Sequence, residues 1–228
     1  MSTRNEVGWL LSDAKDDFFA DLFRFRDLET VDSKHLADTS ADTAISSSVP
    51  KNSLFQRYVQ WIAPSLRLQY LALTRELMED LAPTINERCY SYRPSGASTA
   101  VPFPAAAQDW LRFRTDFRTA VSVGGKWAIQ TDISSYFDHL LVERVAETLN
   151  NFLPSHRSNN RLKKLRDLLL RIAGPHHTLP QNNDASSFLG SAYLANVDSR
   201  ISAQRGIEYF RYQDDIGPDP VSWTLFEA

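Results

Sequence analysis

The sequence predicts an α+β domain, from two long helical periodicities, one alternating segment ending in Asp132, and a short apolar stretch folded about Asp214-Asp215. In the clearest helical segment Leu66, Tyr70, Leu73, Leu77 and Leu81 recur at steps of three and four, and Pro83 ends the run. From Lys126 to Asp132, Trp127, Ile129 and Thr131 alternate with Ala128, Gln130 and Asp132, the period of a strand.

The remaining elements follow in chain order. Phe18, Phe19, Leu22 and Phe23 fit one face of an N-terminal helix. Residues 32–53 are rich in Ser, Thr, Asp and Ala and read as a loop or linker. Together these suggest an N-terminal helical extension and linker over residues 1–48 and one main domain over 49–228. Residues 93–107 carry Pro94, Gly96, Pro102 and Pro104 and read as irregular; a helix from Ala106 to Val121 follows, ended by Gly124-Gly125. After Asp132, one helix is expected to carry Phe137, Leu141, Val145 and Leu149 on its inner face. Another turns Leu162, Leu165, Leu169 and Ile172 inward and Arg161, Lys163, Lys164 and Arg166 mostly outward. Leu189, Tyr193, Val197 and Ile201 continue the helical period, and Gly206 to Ile216 reads as two short strands.

Composition excludes some classes. The chain of 228 residues is 43% hydrophobic and 23% charged, ordinary values for a globular protein with a real core. One cysteine, Cys89, rules out an internal disulfide and suits a reducing cytoplasm; it reads as a small buried residue. No apolar run has the length of a membrane span. The net charge is −3, unevenly spread: −5 over residues 1–50, +6 over 51–175 and −4 over 176–228. A basic middle leading to clustered carboxylates suits phosphate ligands and bound cations, although on composition alone the spread reads first as ordinary charge scatter.

Three segments carry candidate chemistry. In Tyr212-Gln213-Asp214-Asp215 two adjacent carboxylates at a turn repel each other, a cost that a hard divalent cation removes. Taken alone, the pair reads more readily as a solvated turn, since such pairs are common in loops. Asp132 closes a strand just ahead of a helix, where a rigid sheet aims a ligand, or where the carboxylate caps the helix. Leu179-Pro180-Gln181-Asn182, with Ser186 downstream, leads into a helix. His176-His177 has no further His or Cys at metal-ligand spacing and reads as a polar loop.

Taken together and in this order, the segments resemble the sequence blocks of reverse transcriptases. Asp132 with Phe137 five residues on resembles the first palm block, Leu179-Pro180-Gln181 with Ser186 the next, and Tyr212 to Asp215 the Tyr-x-Asp-Asp block. Upstream, Val49-Pro50-Lys51 with Arg57 resembles the fingers block, and Tyr90-Ser91-Tyr92-Arg93-Pro94 an element before the palm in bacterial members. The resemblance covers roughly residues 50–216 and is closer to bacterial intron, retron and phage-defence enzymes than to retroviral ones. Asn182 stands where the family has Gly, and the chain ends 13 residues after Asp215, before the thumb that the family carries.

The resemblance implies a right-hand polymerase fingers and palm, with an antiparallel palm sheet on helices and no thumb. It implies two magnesium ions, or manganese, held by Asp132, Asp214 and Asp215 with the Ile133 carbonyl, and Asp215 the less strictly required. Lys51 and Arg57 would bind the triphosphate. Phe137 would stack under the deoxyribose and exclude a 2′-hydroxyl, and Gln181 would line the nucleotide pocket. The implied partners are an RNA template, a DNA or RNA primer, deoxynucleoside triphosphates and a partner chain supplying the missing palm and thumb. The competing expectation is a truncated, non-catalytic nucleic-acid-binding or assembly module.

Overall fold

The computed structural model describes residues 44–50, 56–94, 102–124, 128–154, 156–181 and 183–216. Among them lie seven α-helices and two small antiparallel sheets, an α+β arrangement. Strands β1 (Ala44–Pro50) and β2 (Gln56–Ile62) form a hairpin in register from Ala44 opposite Ile62 to Pro50 opposite Gln56. This corrects the reading of 44–50 as linker. Its small polar residues lack strand propensity of their own, and the apolar β2, with Val59 and Ile62 buried, supplies the pairing. Strand β1 also runs across residues 48 and 49, the suggested boundary.

Helix α1 (Pro64–Leu81) starts with proline in its first turn, where no N–H is needed, and passes into a 3-10 turn, Ala82–Thr84. Helix α2 is Ala106–Gly124. Strand β3 is only Thr131–Asp132, shorter than the alternation suggested, since residues 128–130 make no ladder. The helix expected after it is two, α3 (Tyr136–His139) and α4 (Val142–Asn150). The break falls where the Leu140 carbonyl accepts from the Leu179 amide (2.9 Å) and the Val142 amide donates to the His177 carbonyl (2.9 Å). These bonds to a distant loop replace helical ones and leave Leu141 at the surface.

Helix α5 is His156–Ile172, with Leu162, Leu165, Leu168, Leu169 and Ile172 buried as its spacing requires. The 189–201 periodicity also divides, into α6 (Asp184–Tyr193) and α7 (Ala195–Ser202); Leu194 joins them and Val197 is exposed. Strands β4 (Arg211–Tyr212) and β5 (Asp215–Ile216) are the expected hairpin, and the second sheet runs β3-β5-β4.

The main core lies where α1 packs on α5 and α6, and α4 on α5 and α6. Leu66, Tyr70, Leu77, Leu149, Leu165 and Phe188 fill it. A second, smaller core of Tyr90, Phe113, Phe117 and Phe210 seats α2 against the sheet. Gly190 lets α6 pass over α3: a Cβ there would stand 2.6 Å from the Tyr136 hydroxyl and 3.0 Å from Leu140 Cδ1. No helix among the described residues is long and apolar enough to cross a membrane. The readings of residues 1–43, 51–55, 95–101, 125–127, Asn182 and 217–228 lie outside the described residues.

Candidate functional site

The carboxylates are placed by the register of the three-stranded sheet. Asp132 is directly opposite Asp215, Thr131 opposite Ile216, and Tyr212 opposite Asp215 from the other side. Directly paired residues of antiparallel strands present their side chains on one face, with Cβ atoms about 4.5–5.5 Å apart. Asp132 and Asp215 therefore share a face. The link to Asp214 is through the backbone: its carbonyl accepts from the Ile133 amide at 3.0 Å. Among the described residues no three His, Cys, Asp or Glu side chains form a group that could hold a metal ion. Like charges on neighbouring residues spread apart, and a cation would have to draw them in. The donor chemistry fits one: carboxylate oxygens on paired strand ends match the preference of hard divalent ions.

The turn Tyr212-Gln213-Asp214-Asp215 is held on several sides. Gln213 has φ 54°, the left-handed region a tight hairpin turn demands and a side chain resists. Its amide donates to Ser91 Oγ (2.9 Å), its side chain to Ser187 Oγ (3.3 Å), and its carbonyl accepts from Arg211 Nη1 (2.8 Å). Tyr212 sets its ring edge-on to Trp110 with centroids 5.0 Å apart, and its hydroxyl donates to the Ala106 carbonyl.

The other segments gather around this turn. Ser91 belongs to the Tyr90-Ser91-Tyr92 stretch, and the Tyr90 amide donates to the Arg211 carbonyl (3.0 Å). Gln181 Nε2 donates to Asp138 on α3 (3.2 Å), which ties the Leu179-Pro180-Gln181 loop to the helix after Asp132. Ser186 shares a hydrogen bond with Tyr70 in the core, and Ser187, beside it, reaches Gln213. Phe137 lies half-buried on α3, edge-on to Tyr136 at 5.2 Å and packed against the main core. Arg57 is exposed on β2 opposite Val49. Its hairpin rests on the Gly174–His176 turn, where the Tyr58 and His176 rings lie 4.1 Å apart, rather than on the three-stranded sheet.

The described non-glycine residues with positive φ are Tyr92, Ser135, His177 and Gln213. Each lies in or beside one of the segments singled out in the sequence. Such conformations cost about 1–3 kcal/mol each and persist where the surroundings over-determine them, often at functional sites.

Behind the turn lies a buried polar group that the sequence did not announce. Arg211 is 1% exposed and Asp198 0%. Arg211 Nε and Nη2 donate to the two Asp198 oxygens (2.9 and 2.6 Å), Tyr209 donates to the same carboxylate (2.7 Å), and so does the Cys89 thiol (3.2 Å). Burial by itself would lower the pKa of Arg211, but its hydrogen bonds to Asp198 and the surrounding charge outweigh that and hold it above the ordinary value. Burial pushes Cys89 up to about 12, with Arg211 opposing and Asp198 adding to the shift. Burial, then its bond to Asp198, also raises Tyr209. Arg211 within the apolar run Tyr209-Phe210-Arg211-Tyr212 was the available signal for an internal charge; nothing in the spacing points to Asp198 as its partner.

Compared with protein-family models the chain matches none, and comparison with curated proteins gives no match.

Proposed function

We propose that this protein is an RNA-directed DNA polymerase whose three-stranded sheet and flanking helices are the palm of a right-hand polymerase, with the β1–β2 hairpin in its fingers, acting in the cytoplasm. The observation that carries the reading is the register that sets Asp132 opposite Asp215 on neighbouring strand ends, with Asp214 next to them at a constrained turn. The motif order supports it: the segments at 90–94, 132–137 and 179–187 are far apart in sequence, and each reaches the 212–215 turn, through Ser91, Ile133 and Ser187.

Phosphoryl transfer requires charge neutralisation and in-line positioning more than covalent help. Asp132, Asp214 and Asp215, with the Ile133 carbonyl, would hold magnesium or manganese, which supplies that neutralisation and a more acidic primer hydroxyl. The sheet aims the carboxylates, and the Ile133–Asp214 backbone bond fixes the loop after Asp132 against the turn. In this reading Arg57, with Lys51, grips the triphosphate; Phe137 fills the space of a ribose 2′-hydroxyl; Gln181, anchored on Asp138, borders the nucleotide. The ligands are an RNA template, a primer strand and deoxynucleoside triphosphates.

The test is incorporation of labelled deoxynucleotides on an RNA-templated primer with magnesium or manganese, comparing the native chain with Asp132→Asn and Asp214→Asn. Metal-dependent incorporation that both variants lose is the expected result. Primer–template binding without incorporation, unchanged in the variants, would assign instead a non-catalytic nucleic-acid-binding module.

A further inference from the structure

We infer that the buried Arg211–Asp198 ion pair is a positioning device that fixes the Gln213–Asp215 turn, and through it the two carboxylates that follow Gln213. That the fixed residues serve catalysis rests on the polymerase reading; that the pair fixes the turn does not.

A buried ion pair is a poor source of stability, because desolvation of both charges offsets their attraction, and apolar replacements of similar volume are often neutral or better. A pair this enclosed, between a helix and a two-residue strand, therefore calls for another role. The guanidinium is a rigid plane with donors on separate edges. Its Nε–Nη2 edge is occupied by both oxygens of Asp198, and Nη1 donates to the carbonyl of Gln213 at 2.8 Å. Asp198 in turn accepts from Tyr209 and Cys89, so the carboxylate that orients the plane is itself held from two further directions.

Backbone strain lies at the end of this chain of contacts. Gln213 adopts a φ that a side chain disfavours, and its carbonyl, amide and side chain are each bonded to a different element: Arg211 on β4, Ser91 in the loop after Arg88, and Ser187 on α6. Asp214 and Asp215 come directly after it. Small rotations at Gln213 would move both carboxylates relative to Asp132 on β3, and ligand constellations tolerate displacements of only about 0.5 Å. Arg211 is thus a positioning residue: it reaches the carboxylates through the backbone of Gln213.

The test uses the full chain and two variants. Arg211→Lys keeps the charge but cannot hold Asp198 along one edge while donating to Gln213 from another. Arg211→Met combined with Asp198→Leu removes both charges and leaves a volume the core can fill. Amide hydrogen exchange is followed at residues 212–216 and, as an internal reference, in α1 and α5. The expected result is exchange at Gln213 and Asp214 faster by about tenfold or more, with α1 and α5 unchanged. Wild-type exchange at the turn in either folded variant would overturn the proposal, and so would a uniform rise across α1 and α5 in both, which would make the pair a general brace. Manganese affinity, read by electron paramagnetic resonance, separates this from the polymerase reading. With Asp214→Asn as the control that abolishes binding, Arg211→Lys is expected to bind about tenfold more weakly. If the native chain binds no manganese there, the polymerase reading fails while the exchange experiment still decides the clamp. If Arg211→Lys binds it as the native chain does, the pair does not position the carboxylates.

Discussion

Asp132 and Asp215 carry the same charge on directly opposed residues, an arrangement that costs a sheet up to about 1 kcal/mol. In a chelating buffer Asp132→Asn should therefore melt no lower than the native chain. It should melt higher by as much as about 2–4 °C, the shift that 1 kcal/mol produces in a chain of this size. Added magnesium should raise the native melting temperature and shift the variant much less. A variant that melts lower in chelator would mean that Asp132 caps or anchors the following segment. The residue scale also sets an alkaline limit. Cys89 has its pKa raised from 9.0 to about 12, with burial the largest cause. An acid raised in the folded state binds more protons there than in the unfolded state, so its contribution is intact below pH 9 and is lost as the pH rises toward 12. Stability from denaturant melts should start to fall near pH 9, with a slope approaching about 1.4 kcal/mol per pH unit for one such group. Tyr209 and Tyr136, raised mainly by burial, add to the fall at higher pH. Cys89→Ala should flatten the curve between pH 9 and 10; an unchanged slope there would assign the alkaline loss to the tyrosines alone.

At the scale of elements, the contact between α6 and α3 is set by one glycine. Alanine inside a helix is normally better than glycine by about 0.5–1 kcal/mol. At Gly190 the sign should reverse, because the added methyl would meet the Tyr136 hydroxyl at 2.6 Å inside a packed core; such overpacking typically costs about 1–3 kcal/mol. That hydroxyl is buried and has no hydrogen-bond partner among the described residues, so Tyr136→Phe alone should be neutral or stabilising. The double variant Gly190→Ala with Tyr136→Phe should recover most of the loss, measured as a double-mutant cycle by urea unfolding. Additive effects would show that the methyl clashes with Leu140 instead. The sequence was legible elsewhere. The buried faces of α1 and α5 follow a period that the chain carries in itself; Asp132 was visible as the charge that closes an alternating segment, and Asp214-Asp215 as a charge pair next to apolar and aromatic residues. The breaks at Leu141 and Leu194 were not, since apolar residues continue through them at helical spacing and the first break is made by backbone bonds to His177 and Leu179. Strand β1 was equally illegible, because its pairing is supplied by β2. The clamp behind the turn joins residues 13 apart on two elements, and only the fold brings them together.

At the scale of the whole molecule, the candidate site lies on the seam between two cores of unequal size. The main core is shared by α1, α4, α5 and α6, whereas α2 is attached mainly through the aromatic cluster of Phe113, Phe117, Tyr90 and Phe210. The seam matters for the site because the same cluster borders Tyr212, whose ring meets both Trp110 and Phe113. Beside it a groove of about 1560 Å³ runs along α2 and the sheet, lined by Arg88, Phe117, Val123, Ile129, Ile207 and Ile216 among others, with Val123 and Ile129 exposed. An element with few buried contacts and an open flank opens at lower free energy than the core it adjoins. Native-state hydrogen exchange at increasing denaturant should show α2 amides exchanging through a sub-global opening below the free energy of α1 and α5. Phe113→Ala should deepen that difference. Truncation of a fully buried phenylalanine costs about 3–5 kcal/mol, and here most of that loss should appear in α2 while α1 and α5 stay protected. The turn at Gln213 should then exchange more slowly than α2, since Arg211, Ser91 and Ser187 tie it to α6, to α7 through Asp198, and to the loop after Arg88. Exchange of α1, α2 and α5 in one step, equally advanced by Phe113→Ala, would make the two cores a single cooperative unit and place the site inside it.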